Sequence, residues 1–156
     1  MIDKMAISGR FFQCYPGMSR SVMARLFKVR SSTVTAWATR GIVPWSKLKY
    51  LSDSKAISWD WLLAGVEPRE SVKEAKTPRS TRPKFNTIGI NRRFLSLFPG
   101  MSQTQISERL EITPAAVHEW HKNKSQVSWE RLADAISGFG VRWDWFIDGV
   151  GPKYRE

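Results

Sequence analysis

Cysteine is nearly absent from this sequence, which has a single one, Cys14, among 156 residues. One cysteine can form neither an intramolecular disulfide framework nor a cysteine-rich zinc site, so nothing points to an oxidising compartment. Long apolar runs are missing as well: no stretch approaches the ~18 residues that a membrane span needs, and the N-terminus lacks the apolar core of a signal peptide. We therefore expect a cytoplasmic protein with no membrane partner.

Acidic residues are also scarce, 14 against 25 Lys and Arg, which gives a net charge of +11. Such an excess favours a polyanionic partner. It is uneven: residues 1–68 carry ten basic and four acidic side chains, residues 69–88 six and two, and residues 89–156 nine and eight. The basic surplus therefore belongs mainly to the first half and to the segment after it. Charge alone does not separate nucleic-acid binding from an ordinary solvated surface.

Patterns for catalysis and cofactor binding are missing too. The sequence has no glycine-rich phosphate loop and no arrangement of a nucleophile with a base. His118, Glu119 and His121 share one helical turn, but their spacing is one residue short of His-Glu-x-x-His and no third ligand is evident. We expect no metal, no cofactor and no enzymatic activity.

What the sequence does contain is an internal repeat. Residues 16–37 and 99–120 align at a constant shift of 83, which becomes 84 after a one-residue length difference in the next loop. The identical pairs are Pro16/Pro99, Gly17/Gly100, Met18/Met101, Ser19/Ser102, Val34/Val117 and Trp37/Trp120. Residues 69–86 lack periodicity and hold many charges and two prolines. We predict two domains, 1–68 and 87–156, joined by a basic flexible linker, 69–86.

Each copy carries two helix starts close together. In the second copy, Ser102 and Gln105 have the spacing of a capping box, and Thr113 is an N-cap followed by Pro114 at the first helical position. Only three or four residues are left for the turn between the two helices, which is typical of a helix-turn-helix. With one helix before this pair and two after it, each copy is predicted to contain five helices.

The eight tryptophans follow the repeat, with four in each copy. They are Trp37, Trp45, Trp59 and Trp61 in the first copy and Trp120, Trp129, Trp143 and Trp145 in the second. Aromatic residues among basic ones could stack on single-stranded bases. Their helical spacing, and the need of a small domain for large apolar side chains, favour a role in the two cores instead.

These motifs resemble the helix-turn-helix domain of bacteriophage CI-type repressors. The resemblance rests on residues 98–103, 109–113, 117, 120 and 143–152 of the second copy and on residues 15–19, 33–35, 37 and 59–65 of the first. It implies an all-α fold of two five-helix, lambda-repressor-like helix-turn-helix domains joined by a flexible linker. It also implies DNA binding and transcription regulation.

Two departures from that family are visible. Such repressors commonly have one DNA-binding domain followed by a self-cleaving, dimerising domain with a Ser-Lys dyad. Here the second half is another helix-turn-helix domain, so autocleavage is not implied. In the first copy Arg30 stands where the family usually has a Ser or Thr cap, which leaves a shift of the helix start to Ser31 or Ser32 open.

In the first copy, a helical wheel with Val34 and Trp37 inside places a polar face opposite them. In a helix-turn-helix such a face reads base edges, and Arg20 at the start of the preceding helix would hold a phosphate. Hydroxyls can pair with several bases, and alanine or threonine methyls can contact a thymine methyl. The candidate DNA-binding residues are Arg20, Ser31, Ser32, Thr35, Ala36, Thr39 and Arg40.

The second copy offers a less basic set. Glu119 can accept from a cytosine amino group but is repelled by phosphate, so this domain is either a second DNA reader or a module for dimerisation or partner binding. Its candidate DNA-binding residues are Gln103, Ala115, His118, Glu119, Lys122, Asn123 and Lys124.

Together these features favour a sequence-specific regulator of transcription that binds double-stranded DNA, a repressor associated with the nucleoid. Its two domains would act as a covalent pseudo-dimer on a bipartite operator. The alternative is a protein-interaction adaptor or antirepressor, in which the second domain mediates dimerisation or partner contact. A homodimer remains open in either case.

Overall fold

The computed structural model describes residues 3–71, 73–76, 80 and 83–154. Over these ranges the chain is all-helical, with two isolated β-bridges and no longer strand. It divides into two compact units, Ile2–Phe85 and Asn86–Glu156, here called the first and second unit. None of the helices in the described ranges has the length and apolarity that crossing a bilayer requires.

The first unit has five helices in its described residues. They are α1 (Lys4–Gln13), α2 (Arg20–Phe27), α3 (Ser31–Arg40), α4 (Trp45–Lys55) and α5 (Trp59–Ala64). α2 packs against α3, and α1 contacts both α3 and α5. Three aromatic rings meet in the core: Phe11 lies 5.8 Å from Phe27 and 6.1 Å from Trp37 between ring centroids.

The second unit repeats this order. Its helices are α6 (Thr87–Leu95), α7 (Gln103–Arg109), α8 (Pro114–His121), α9 (Trp129–Phe139) and α10 (Trp143–Asp148). α7 packs against α8, and α6 contacts α8 and α10. Phe94, the counterpart of Phe11, lies 5.5 Å from Trp120 and 6.3 Å from Phe146 between ring centroids.

The tryptophans serve the cores, as the helical spacing predicted. Five of the eight are buried and the other three, Trp45, Trp129 and Trp145, are half-buried. Large rings at these positions supply much of the apolar area that a small helical unit can bury.

The helix ends follow the local capping signals. Ser102 and Gln105 form the predicted capping box: the Gln105 amide donates to the Ser102 hydroxyl (3.3 Å) and the Ser102 amide to the Gln105 side-chain oxygen (2.8 Å). The Thr113 hydroxyl accepts from the Ala116 amide at the start of α8. α5 and α10 end at Gly65 and Gly149, both with left-handed backbone.

An arginine clamp, present in both units, joins the first helix to the last. Arg10 donates through Nε to the Leu62 carbonyl (2.8 Å) and through Nη2 to the Leu63 carbonyl (3.1 Å). Arg93 makes the same two bonds, 2.7 and 2.8 Å long, to the carbonyls of residues 146 and 147. These carbonyls belong to the last turns of α5 and α10, where unpaired acceptors and the helix dipole both favour a cation. Burial lowers the pKa of both guanidinium groups, and Asp3 beside Arg10 and Asp148 beside Arg93 oppose that shift.

Composition predicted a flexible linker over 69–86, but several of its described residues contact the first unit. The Ser58 amide donates to the Arg69 carbonyl (2.8 Å) and the Lys76 amide to the Asp53 carbonyl (2.7 Å). Lys73 Nζ donates to the Ser52 hydroxyl (2.7 Å) and pairs with the Asp53 carboxylate (3.3 Å).

The same segment ends on an aromatic contact, because the Phe85 ring packs 5.8 Å from the Trp59 ring. Of the predicted linker, residues 72, 77–79 and 81–82 lie outside the described residues, as do residues 1–2 and 155–156 of the predicted domains.

Some of the contacts between this segment and the first unit have equivalents in the second unit. Ile57 bridges Glu70 just as Val141 bridges Tyr154 in the second unit, and the Arg142 amide donates to the Lys153 carbonyl (2.9 Å). Hydrophobic periodicity does not detect such a segment, because it is held by single backbone bonds and isolated side chains.

Candidate nucleic-acid interface

The α2–α3 pair is connected by a tight turn whose geometry comes from local signals. Ser19 caps α2 by accepting from the Val22 amide, and the helix ends at Lys28, which has left-handed backbone (φ 53°). The Val29 amide then bonds back to the Ala24 carbonyl (2.9 Å). Three residues, 28–30, therefore separate α2 from α3, so the two helices are held close together.

Arg30 occupies the N-cap position of α3, and the helix starts at Ser31. Its backbone is extended (φ −75°, ψ 149°), but its side chain makes no capping hydrogen bond. The helix start has therefore not moved to Ser32, despite the missing Ser or Thr cap. An exposed arginine therefore occupies the cap position of α3, at a helix end that favours negative charge.

α3 separates its faces as the helical wheel predicted. Val34 and Trp37 are buried against the core. Of the predicted reading face, Thr35 and Ala36 are half-buried and four residues are exposed: Ser31, Ser32, Thr39 and Arg40. Arg20, the first residue of α2, is exposed as well. All seven candidates of the first copy therefore lie on α2 or α3 with side chains at least partly accessible.

The two threonine hydroxyls on this face are held in place by α3 itself. Thr35 Oγ1 donates to the Ser31 carbonyl (3.1 Å), and Thr39 Oγ1 donates to the Thr35 carbonyl (3.1 Å). Because each hydroxyl proton is used in this way, what each oxygen offers outwards is an acceptor, with a methyl group beside it. Residue type alone left donor and acceptor roles open, and this geometry favours the acceptor role.

α7 and α8 of the second unit reproduce the framework. The turn passes through Glu111 with left-handed backbone (φ 52°), and Val117 and Trp120 are buried. The predicted residues on α8 and after it are all exposed, as is Gln103 at the start of α7; they are Ala115, His118, Glu119, Lys122, Asn123 and Lys124. Asn123 differs from the others, because its backbone is left-handed (φ 55°) and its side-chain oxygen accepts from the Asn91 amide group (3.4 Å).

The two helix pairs, each with its capping residues, carry net charges of opposite sign. Residues 19–40 contain five basic side chains and no acidic one, whereas residues 102–123 contain two basic and three acidic ones. All five basic residues of 19–40 are exposed, and each has a neutral or acidic, equally exposed counterpart at the shift of 83. The pairs are Arg20/Gln103, Arg25/Glu108, Lys28/Glu111, Arg30/Thr113 and Arg40/Asn123. We call the first-unit members of these pairs the basic rim.

Several residues that position these helices were not predicted from the sequence. The Asn91 side chain is buried and donates to the carbonyls of Trp120 (3.2 Å) and Ser125 (2.8 Å), which holds the end of α8. In the first unit the Ser8 hydroxyl donates to the Trp37 carbonyl at the same place (2.7 Å). The repeat carried a signal for the arginine clamp, since Arg10 and Arg93 match at the shift of 83, but Ser8 and Asn91 differ in residue type.

His118 and His121 have no third ligand near them: no group of three or more His, Cys, Asp or Glu side chains in the described ranges could hold a metal ion.

No protein-family model, no curated protein and no solved structure matches the chain.

Proposed function

We propose that the chain is a sequence-specific, double-stranded-DNA-binding regulator of transcription, acting as a repressor, with a CI-repressor-type helix-turn-helix in each unit. The observation that carries this proposal is the accessible face of α3, which presents fixed hydroxyls on a helix pair that has five exposed basic residues and no acid. Phosphates would be held by the rim, and the hydroxyl face would meet base edges in the major groove.

The proposal specifies what α3 reads. The Thr35 and Thr39 hydroxyls already donate hydrogen bonds to carbonyls of α3, so towards DNA they would act as acceptors. The donors that bases offer in the major groove are the amino groups of adenine and cytosine. Ala36 and the threonine methyls would contact thymine methyl groups. Guanine, which offers two acceptors on that edge, would need an arginine such as Arg40.

Selection of duplexes from a random library with the full chain, followed by fluorescence anisotropy, tests this. Thr35→Val with Thr39→Val keeps the side-chain shape and removes the acceptors, so it should reduce discrimination by about 0.5–1.5 kcal/mol for each hydrogen bond removed. Thr33→Val is the matched control, because Thr33 lies on α3 outside the proposed reading face. No selected sequence, or equal reductions in both variants, would contradict base reading by this face.

The second unit would bind a second, different half-site as part of a covalent pseudo-dimer. Since the residues on α8 are not those on α3, the two halves of the operator should be unlike. Hydroxyl-radical footprinting at one chain per site should then show two dissimilar protected half-sites. A symmetric site that requires two chains would refute the pseudo-dimer and favour a homodimer.

The charge reversal in the second unit supports the alternative function, a protein-interaction adaptor or antirepressor. Glu108, Glu111 and Glu119 are exposed where a phosphate-binding domain benefits from cations. If the second unit serves partner contact, Glu119→Ala should leave DNA preference unchanged and alter self-association in sedimentation velocity. If it reads bases, the same change should relax the preference at one base pair.

A further inference from the structure

The second unit contains an open cleft with a volume of about 500 Å³, between the end of α7 and one side of α9. Its apolar part is formed by Phe98, Leu110, Ala135 and Phe139. This volume falls within the usual size of sites for small molecules. No candidate DNA-binding residue of the second unit lines the cleft.

The first unit differs at two of the positions that line the cleft, because the equivalent residues there carry aromatic rings. Leu110 corresponds to Phe27, and Asp134 corresponds to Tyr50. The rings of Phe27 and Tyr50 pack edge to face with centroids 5.6 Å apart, and Phe27 is buried. The second unit thus lacks two aromatic rings that pack against each other in the first unit.

Charged side chains of both signs also surround this cleft. Arg109, Glu111, Arg131 and Asp134 all line the cleft. Among the described residues, none of the four forms an ion pair. Oppositely charged side chains that share a cleft without neutralising one another can each bind a charged group of a ligand.

Two of these groups are held in position. Arg131 donates through Nη1 to the Leu110 carbonyl (2.8 Å), which fixes its guanidinium at the rim of the cleft. The Arg109 guanidinium lies over the rings of Phe98 and Phe139, 5.9 and 5.8 Å from their centroids. The same two rings meet edge to face, 5.6 Å apart, and form an aromatic wall.

We infer that this cleft binds a small zwitterion with an aromatic ring, the chemical class of the aromatic amino acids. The ligand ring would take the space of the missing rings and pack against Phe139, the more exposed ring of the wall. Its carboxylate would pair with Arg131, a geometry that guanidinium groups favour, and its ammonium group would pair with Asp134. The inference concerns the second unit alone and does not depend on DNA binding.

Isothermal titration calorimetry on the full chain without DNA tests the site with defined probes. L-phenylalanine, L-tyrosine and L-tryptophan are the candidate ligands. L-phenylalanine amide lacks the carboxylate, N-acetyl-L-phenylalanine lacks the ammonium group, and L-leucine lacks the ring. At least one aromatic zwitterion should bind saturably with one site per chain. Each of the three incomplete probes should bind about tenfold more weakly or worse, because each lacks one of the three groups that the cleft would bind.

Variants separate the cleft from other surfaces. Arg131→Gln should weaken binding about tenfold, whereas Arg92→Gln, an exposed arginine of the same unit outside the cleft, should leave it unchanged. Asp134→Tyr with Leu110→Phe introduces the first unit's two aromatic residues into the cleft. The added rings should fill it and abolish binding. Because that double variant fills a space instead of opening one, a melting temperature that is retained or raised would show that the effect is not due to unfolding. No saturable heat with any aromatic amino acid at about 10 mM, or binding that survives the filled cleft, would overturn the inference.

Discussion

The α2–α3 pair of the first unit and the α7–α8 pair of the second have the same framework and opposite charge. Both pairs begin at a capping serine, turn through one non-glycine residue in left-handed conformation, and bury a valine and a tryptophan on the inner face of the following helix. Yet residues 19–40, which contain the first pair, carry a net charge of +5 from five basic residues and no acid. Residues 102–123, which contain the second pair, carry −1 from two basic and three acidic residues. Fold and charge are therefore set by separate residues, and only the charge separates the proposed roles of the two units.

The largest expected effect comes from exchanging these charges. A first unit that carries the second unit's residues at the basic rim should bind DNA at least about a hundredfold more weakly. The salt slope of log K should shrink by about 0.9 for each phosphate that is no longer neutralised. The changes are Arg20→Gln, Arg25→Glu, Lys28→Glu, Arg30→Thr and Arg40→Asn. All five positions are exposed, so folding should be retained.

The matched control is the exchange in the other direction. Giving the second unit basic residues through Glu108→Arg and Glu111→Lys should raise affinity if that unit lies near DNA, and should do nothing if it binds a protein instead. An unchanged salt slope in the first-unit exchange would remove the basic rim from the proposed interface.

The arginine clamp offers a comparison in stability rather than in binding. Arg10→Lys and Arg93→Lys should each destabilise their unit by about 1–3 kcal/mol, because a lysine cannot bond both carbonyls in the fixed geometry of a guanidinium. Urea unfolding monitored by circular dichroism measures the change in the free energy of unfolding. Similar decreases in both variants would show that the clamp is equivalent in the two units. No decrease in either would mean that water replaces the bonds without cost.

Tyr15 and Phe98 occupy equivalent positions in the two units, and exchanging them tests the cost of one buried hydroxyl. The Tyr15 hydroxyl is buried and has no hydrogen-bond partner among the described residues. Burial, with Tyr50 and Cys14 nearby, raises the pKa of Tyr15, so the hydroxyl remains protonated with no acceptor. Tyr15→Phe should therefore stabilise the first unit by about 1 kcal/mol, and Phe98→Tyr should destabilise the second. Thermal unfolding of both variants measures these changes in stability. A Tyr15→Phe variant that is less stable than the original chain would contradict the prediction.

The smallest effect concerns the segment after α5, which is docked in the first unit. Asp53→Ala removes the carboxylate that pairs with Lys73 and with Lys49, and an ion pair of this exposure contributes about 0.5–1 kcal/mol. Cleavage by trypsin after Lys73 should then become roughly two- to fivefold faster. Glu74→Ala, a change to an exposed acid of the same segment, is the control. Equal rates in both variants would mean that the ion pair with Asp53 does not hold Lys73 in place.

The elements that sequence could predict are those set by neighbouring residues. The capping box at Ser102 and Gln105 and the start of α8 at Thr113 and Pro114 each need only a few adjacent positions, and the structure confirms both. The inward residues of α3 followed from helical period alone.

The features that escaped prediction join distant positions. The arginine clamp connects residues more than fifty apart, and the docking of Phe85 on Trp59 depends on a ring in a segment without any periodicity. The cleft of the second unit required knowing which side chains share a space, since Asp134 looks like an ordinary surface residue in the sequence. Repeat alignment comes nearest to finding such features, because it shows where one copy lacks a ring that the other has.

The burial of Cys14 has a practical consequence for measuring the molecule. Its thiol is 1% exposed and lies 3.3 Å from a nitrogen of the Arg69 guanidinium, so reagents for thiols should reach it slowly. A cysteine placed at an exposed position would then react first without removal of the native one. Ser21 and Thr104 are exposed and occupy equivalent positions in the two units, so Ser21→Cys and Thr104→Cys are suitable changes. Dyes at that pair would report the separation of the two units in solution, with and without a duplex.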